Sequence, residues 1–262
     1  MKKIKTTSWK SISTSLLVLI AISLIVQGCG GSKDSASSAP ASSDAPAPSS
    51  SEPTMENMKS AVVDAIQTIS KNTVSEITNL AKNQKAIQIP DSLEKVQDAL
   101  ESAGKSDLFK GFASSLNGST VSALSGYKDS LAKTIGSINI ADVEKVIKGG
   151  DDSMTRYLES TANSKLKQNL IPFVKDAIKD TQADEWFEKI KGALPKDTGG
   201  LLGKVSAATG VSIPTDFDVE GYLTDEIMSK FFDIMANQEK LFRQDPKGRS
   251  ADLFKKVMAA AQ

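Results

Sequence analysis

The sequence predicts an all-α fold, a compact single-domain bundle of about eight to ten helices formed by residues 55–262. Three observations carry this reading. Apolar residues recur at threes and fours through most of that stretch, the period of one helix face. No segment shows sustained two-residue alternation, and no strand–helix–strand rhythm appears. Glycine, singly or paired, and proline punctuate the apolar stripes, as helix stops do.

Taken in order, Met58, Val62, Ile66, Ile69, Val74, Ile77 and Leu80 mark the face of a first helix. A short extended piece, AIQIP, follows, and Asp91 with Glu94 forms a capping pair. Leu93, Val96, Leu100 and Ala103 give a second helix, stopped by Gly104. Ser106 opens a third, through Leu108, Phe109, Phe112 and Leu116, expected to end near Asn117-Gly118. Val121, Leu124, Leu131 and Ile135 make a separate stripe, ended by Gly136. Asn139 and Asp142 flank the start of a short helix through Val143, Val146 and Ile147, closed by Gly149-Gly150.

Asp151 and Asp152 stand where a cap for the next helix is needed. That helix runs through Met154, Tyr157, Leu158, Leu166, Leu170, Val174 and Ile178, and Pro172 is expected to kink or break it. Trp186, Phe187 and Ile190 belong to a short helix before Gly192. Residues 193–215, with several Gly and two Pro, read as a loop holding at most one short helix. Thr224 starts a helix with Ile227, Phe231, Phe232, Met235 and Leu241, broken by Pro246 and Gly248. Ser250 caps a last one through Leu253, Phe254, Val257 and Met258.

Residues 1–54 have a different composition. Lys2, Lys3, Lys5 and Lys10 precede an apolar run from Leu16 to Val26. That run is too short for a membrane span, which needs about 20 residues, but it suits a signal-peptide core of about 7–15. It leads through Gln27 and Gly28 to Cys29, the only cysteine. Ile25, Val26, Gly28 and Cys29 resemble the bacterial lipobox, with Gln27 in place of the usual small residue. The resemblance implies a cleaved leader, residues 1–28, and acylation of Cys29, which would anchor the chain to a membrane. Two or more acyl chains hold stably where one does not. The plainer alternative is a secreted protein cleaved nearby. No Asp follows Cys29, so the same resemblance favours an outer-membrane location facing the periplasm. Residues 29–54 carry the anchor and a Ser/Ala/Pro-rich tether without a large apolar side chain. Its mean span is about 25–30 Å.

Composition narrows the chemistry. The chain has 262 residues, 32 basic, 32 acidic, no His and one Cys. Triads built on His are excluded, as are His-containing zinc sites and Cys-rich clusters. A neutral total argues against nucleic acid as partner. Removing residues 1–28 takes away four Lys and no acid, leaving a formal charge of −4. No P-loop, nucleophile-elbow, zincin or dinucleotide-binding motif is present. In GGLLGK (199–204) the following Val205 replaces the Ser or Thr that a P-loop needs.

Seven blocks stand in order along the chain: IQIP (87–90), LEKVQDALESAG (93–104), SLNGSTVSAL (115–124), INIADVEKVIKGGDDSMTRYL (138–158), LKQNLIPFVKDAI (166–178), DVEGYLTDEIMSKFFDIMANQEKLFRQDP (218–246) and LFKKVM (253–258). Together they resemble an uncharacterised bacterial envelope family, the domain of unknown function 4197. The GGDD-x-x-T-x-Y and E-x-x-x-R-x-x-P blocks are the most specific. The sequence departs from the family at GSTVSA, where an Ala-Glu-Ala-Ala run is common, and matches poorly at 193–215. The resemblance implies a helical fold and an envelope location, and it carries no catalytic residue.

The residues singled out, apart from Cys29, are Asp151, Asp152, Thr155, Tyr157, Tyr222, Glu239 and Arg243. Asp151 and Asp152 suit a small acidic site or a helix cap, and two carboxylates fall short of the six or more oxygens a hard cation wants. Glu239 and Arg243 are four apart and can pair, either beside a cleft or as a helix ion pair. Tyr157 and Tyr222 offer hydroxyls to a pocket or edge the core. Phe231, Phe232, Met235 and Phe242 line an apolar site or form plain core. The expectation is a non-enzymatic, membrane-anchored interaction or scaffolding module with an envelope partner, without cofactor or metal. A binder of a lipid or other apolar ligand is the alternative, and a carboxylate-based hydrolase ranks below both.

Overall fold

Four long helices frame the protein, and each buries one mostly apolar face. The computed structural model describes residues 54–193, 217–248 and 251–260, all within the unit Ser50–Gln262. The described residues form eight α-helices and no strand. They are α1 (Met55–Lys82), α2 (Glu94–Ser102), α3 (Ser106–Gly136), α4 (Val143–Lys148), α5 (Ser153–Thr181), α6 (Ala183–Ala193), α7 (Val219–Gln244) and α8 (Ala251–Ala260). The leader, Cys29, the tether up to residue 53, most of the 193–215 segment and Ser250 lie outside the described residues. Among the described residues no helix is long and apolar enough to cross a membrane.

Helices α1, α3, α5 and α7 form an up-down-up-down bundle. The Gln67 amide of α1 donates to the Ala132 carbonyl of α3, and the strap just after α1 meets Asn117, so the two run antiparallel. Gly118 and Gly126 of α3 face Thr181 and Phe173 of α5. Met154 and Lys167 of α5 meet Glu239 and Asp225 of α7. Ser70 of α1 meets Met235 of α7, and the strap's Gln88 meets Tyr222. The core between them is continuous, from Val62 and Ile66 through Phe112 and Leu124 to Leu166, Phe231 and Met235. Helix α6 packs on α3, α8 packs on α1, and the short α4 bridges α1 and α5.

Several boundaries differ from those the sequence predicts. Helix α3 is one uninterrupted helix of 31 residues and passes straight through Asn117-Gly118. Tertiary packing overrides the turn propensity there. The Asn117 amide, 1% exposed, accepts from the Ala86 and Ile87 N–H groups and donates to the Ile87 and Ala113 carbonyls. It thereby pins the extended strap after α1 and leaves nothing to compete with the helix. Asp91 and Glu94 form no capping box. Asp91 opens a 3₁₀ turn, and the buried Leu93, which has no capping side chain, occupies the N-cap of α2.

Helix α7 starts at Val219, where Asp218 accepts from the Gly221 N–H at 2.9 Å. Thr224 lies inside it, its hydroxyl donating to the Glu220 carbonyl. Pro172 sits within α5 without ending it. It is on the exposed side, as is Gln168, whose carbonyl loses its partner and can face water. Gly104 ends the α2 segment with φ +71°, the left-handed conformation that favours glycine.

Candidate functional site

The two most specific sequence blocks meet in space, and they do so through buried hydrogen bonds. Glu239 lies on the inward face of α7 and is fully buried, while Arg243 one turn later is 8% exposed. A carboxylate buried this deeply needs its oxygens occupied. One Glu239 oxygen accepts from the Met154 N–H at 2.9 Å and from Arg243 Nε at 2.9 Å. The other accepts from the Thr155 N–H at 2.7 Å and the Thr155 hydroxyl at 2.8 Å. Those two N–H groups belong to the first turn of α5, where helix donors have no partner of their own and the helix dipole favours negative charge.

Arg243 does the complementary work at the end of α4. Its guanidinium donates to the Ile147 carbonyl at 3.0 Å, the Val146 carbonyl at 3.1 Å and Ser153 Oγ at 2.6 Å. These carbonyls sit in the last turn of α4, the negative end of that helix. Ser153 in turn donates to the Val146 carbonyl at 2.6 Å. A single pair one turn apart on α7 therefore caps the C-terminus of one helix and the N-terminus of the next. Gly149 makes the turn between them possible. A Cβ there would lie 2.5 Å from Ser153 Cβ and 3.0 Å from the Lys145 carbonyl oxygen.

The acidic pair behaves differently from the cap the sequence suggests. Asp152 holds the N-cap position of α5 but makes no side-chain bond to it. Glu239 has taken the donors, and Asp152 pairs instead with Arg156 at 3.0 Å on the surface. The Glu159 and Asp152 carboxylates raise the Arg156 pKa above its ordinary value. Asp151 faces Lys240 at 3.6 Å and is 71% exposed. Tyr157 ties the α3–α4 connection to α5, donating to the Asn139 carbonyl at 3.0 Å and accepting from the Ala141 N–H at 3.3 Å.

Thr155, Glu239 and Arg243 thus converge, with Asp151 and Asp152 at the surface beside them, while Tyr157 engages the α3–α4 connection instead. Tyr222 does not join them. It stands about 25 Å away along the axis of α7 at 1.5 Å per residue. There its hydroxyl donates to the Gln88 carbonyl at 2.9 Å and its ring packs on Phe217 at 5.4 Å. Burial, then the Glu226 and Asp91 charges, pushes its pKa up to about 12.

Outside this network lies an open depression of about 350 Å³, bordered by Arg243, Lys240, Asp151, Lys148 and Gly149. Among the described residues no group of three or more carboxylate, His or Cys side chains gathers as a metal ion requires. Phe231, Phe232, Met235 and Phe242 are all buried core, and the void that α3, α5 and α7 leave beside Phe231 is only about 10 Å³. Asn117 and Ser153 were not legible as key residues. Asn117 was hidden by the turn signal of its Asn-Gly pair, and Ser153 carried no signal at all.

Residues 49–259 match the model of a family described as "Protein of unknown function (DUF4197)", and the chain belongs to that family. No curated protein and no solved structure matches it.

Proposed function

We propose that this member of the family is a non-enzymatic envelope lipoprotein, a helical interaction or scaffolding module held to a membrane by acyl chains on Cys29. The observation that carries the reading is that the buried pair Glu239 and Arg243 spends its polar atoms on the protein itself. Glu239 has both oxygens taken by protein donors, and Arg243 is held by three carbonyl or hydroxyl oxygens besides Glu239. A general acid or base must reach its substrate within hydrogen-bond distance, and Glu239 is 0% exposed. The lipobox-like sequence before Cys29 and the tether after it, which has no large apolar side chain, supply the anchoring half of the proposal.

The test is metabolic labelling with an alkyne-bearing fatty acid, followed by membrane fractionation and cross-linking. The expected result is a labelled protein in the outer-membrane fraction that loses its label on Cys29→Ser and that cross-links reproducibly to an envelope partner. An unlabelled wild-type chain in the soluble fraction overturns the anchoring. Recovery of the chain without any reproducible partner overturns the scaffolding.

A further inference from the structure

Helices α1 and α3 border a groove of about 440 Å³ on the surface. That volume falls within the range of small-ligand sites, about 300–1,000 Å³. Val74, Leu131 and Ile135 form its floor, and Ala132 lies exposed at its edge. Its rim carries Lys71 from α1 and Lys128 from α3. The register follows from the bond between the Gln67 amide and the Ala132 carbonyl. One turn further along α1 and one turn back along antiparallel α3 brings Lys71 opposite Lys128.

Neither lysine makes an ion pair or a side-chain hydrogen bond among the described residues. Two like charges facing each other across an apolar floor repel, and an anion between them reverses that sign. The acids of the groove are Asp129, beside Lys128, and Asp64, at the far end about 10 Å along α1 at 1.5 Å per residue.

We propose that the α1–α3 groove binds a single-chain amphiphile with an anionic head, the head held between Lys71 and Lys128 and the chain lying over Leu131 and Ile135. Asp129 opposes the head, so its charge tunes affinity downwards. This site is separate from the Glu239–Arg243 network and does not depend on the anchoring proposed above.

The test uses the full chain carrying Cys29→Ser, with a photoreactive dodecyl phosphate below its micelle concentration and mass-spectrometric mapping of the adducts. Adducts are expected on residues 64–75 and 128–135. Dodecyl phosphate should compete, while inorganic phosphate and dodecyl maltoside should compete at least about tenfold less well, a difference of about 1.4 kcal/mol. K71Q/K128Q should weaken labelling about tenfold or more, A132W should block it, and D129N should strengthen it. These four positions are exposed, and unchanged helical circular dichroism confirms folding. Adducts elsewhere, equal competition by the neutral head group or by phosphate alone, or labelling that ignores all three variants overturns the proposal.

Discussion

Replacing Glu239 with Ala tests the central claim that one carboxylate holds two helix ends together. The substitution removes the acceptor for two backbone N–H groups, the Thr155 hydroxyl and the Arg243 guanidinium at once. It also leaves Arg243, 8% exposed, without a counter-charge. Breaking a buried pair by removing one partner costs about 3–5 kcal/mol, against a few tenths for an exposed helix pair. At about 2–4 °C per kcal/mol for a domain of this size, the melting temperature should fall by about 6–20 °C. Urea unfolding followed by helical circular dichroism gives the free energy directly. E239Q keeps an acceptor at the α5 N-terminus and should fall between wild type and E239A. A loss below about 1 kcal/mol for E239A would mean that the network is wet and weakly coupled, as surface pairs are, and would falsify the double-cap reading.

Arg243→Lys should destabilise almost as much as Arg243→Ala, because a point-like ammonium cannot span Val146, Ile147, Ser153 and Glu239 as the planar fork does; paired melting curves check this. Gly126→Ala and Gly111→Ala should each cost about 1–3 kcal/mol through overpacking, since a Cβ would lie 2.8 Å from the Phe173 ring and 2.4 Å from the Trp186 ring. Gly118→Ala, with only a 3.4 Å contact to Thr181, should be neutral or stabilising by up to about 1 kcal/mol, and a shared sign for all three would remove the close-approach argument. Burial raises the pKa of Tyr127, and that of Tyr222 is pushed up to about 12. Both folded values exceed the unfolded value near 10. The unfolded chain therefore releases these protons first, and stability should fall as pH rises from about 10 towards 12. A spectrophotometric titration should show late phenolate formation that Tyr222→Phe reduces.

The fold was largely legible because helix periodicity is a local signal. The face of α1 and the stop at Gly104 follow from spacing and from one residue's conformational freedom. The start of α7 did not, since Thr224 is as good a cap by type as Asp218, and only the packed chain shows which one leads the helix. The join at Asn117-Gly118 failed for a related reason. An Asn-Gly pair favours a turn in isolation, and the strap at Ala86 and Ile87 that pulls Asn117 into a helix comes from 30 residues away.

The site shows the same division more sharply. Spacing alone paired Glu239 with Arg243, because four residues bring side chains to one face. It could not say that the face was buried, nor that Glu239 would displace the adjacent Asp152 from the natural cap position of α5. A local carboxylate was the simpler expectation, but a local cap satisfies only one helix end. An acid supplied by α7, linked one turn on to an arginine, satisfies the end of α4 and the start of α5 together and locks both against a third helix. The surface Asp residues are then released from capping and can pair with Arg156 and Lys240. Their exposure reflects what Glu239 does beneath them. The GGDD and E-x-x-x-R blocks therefore form one device, in which the glycine turn brings two helix ends within reach of a single charged pair.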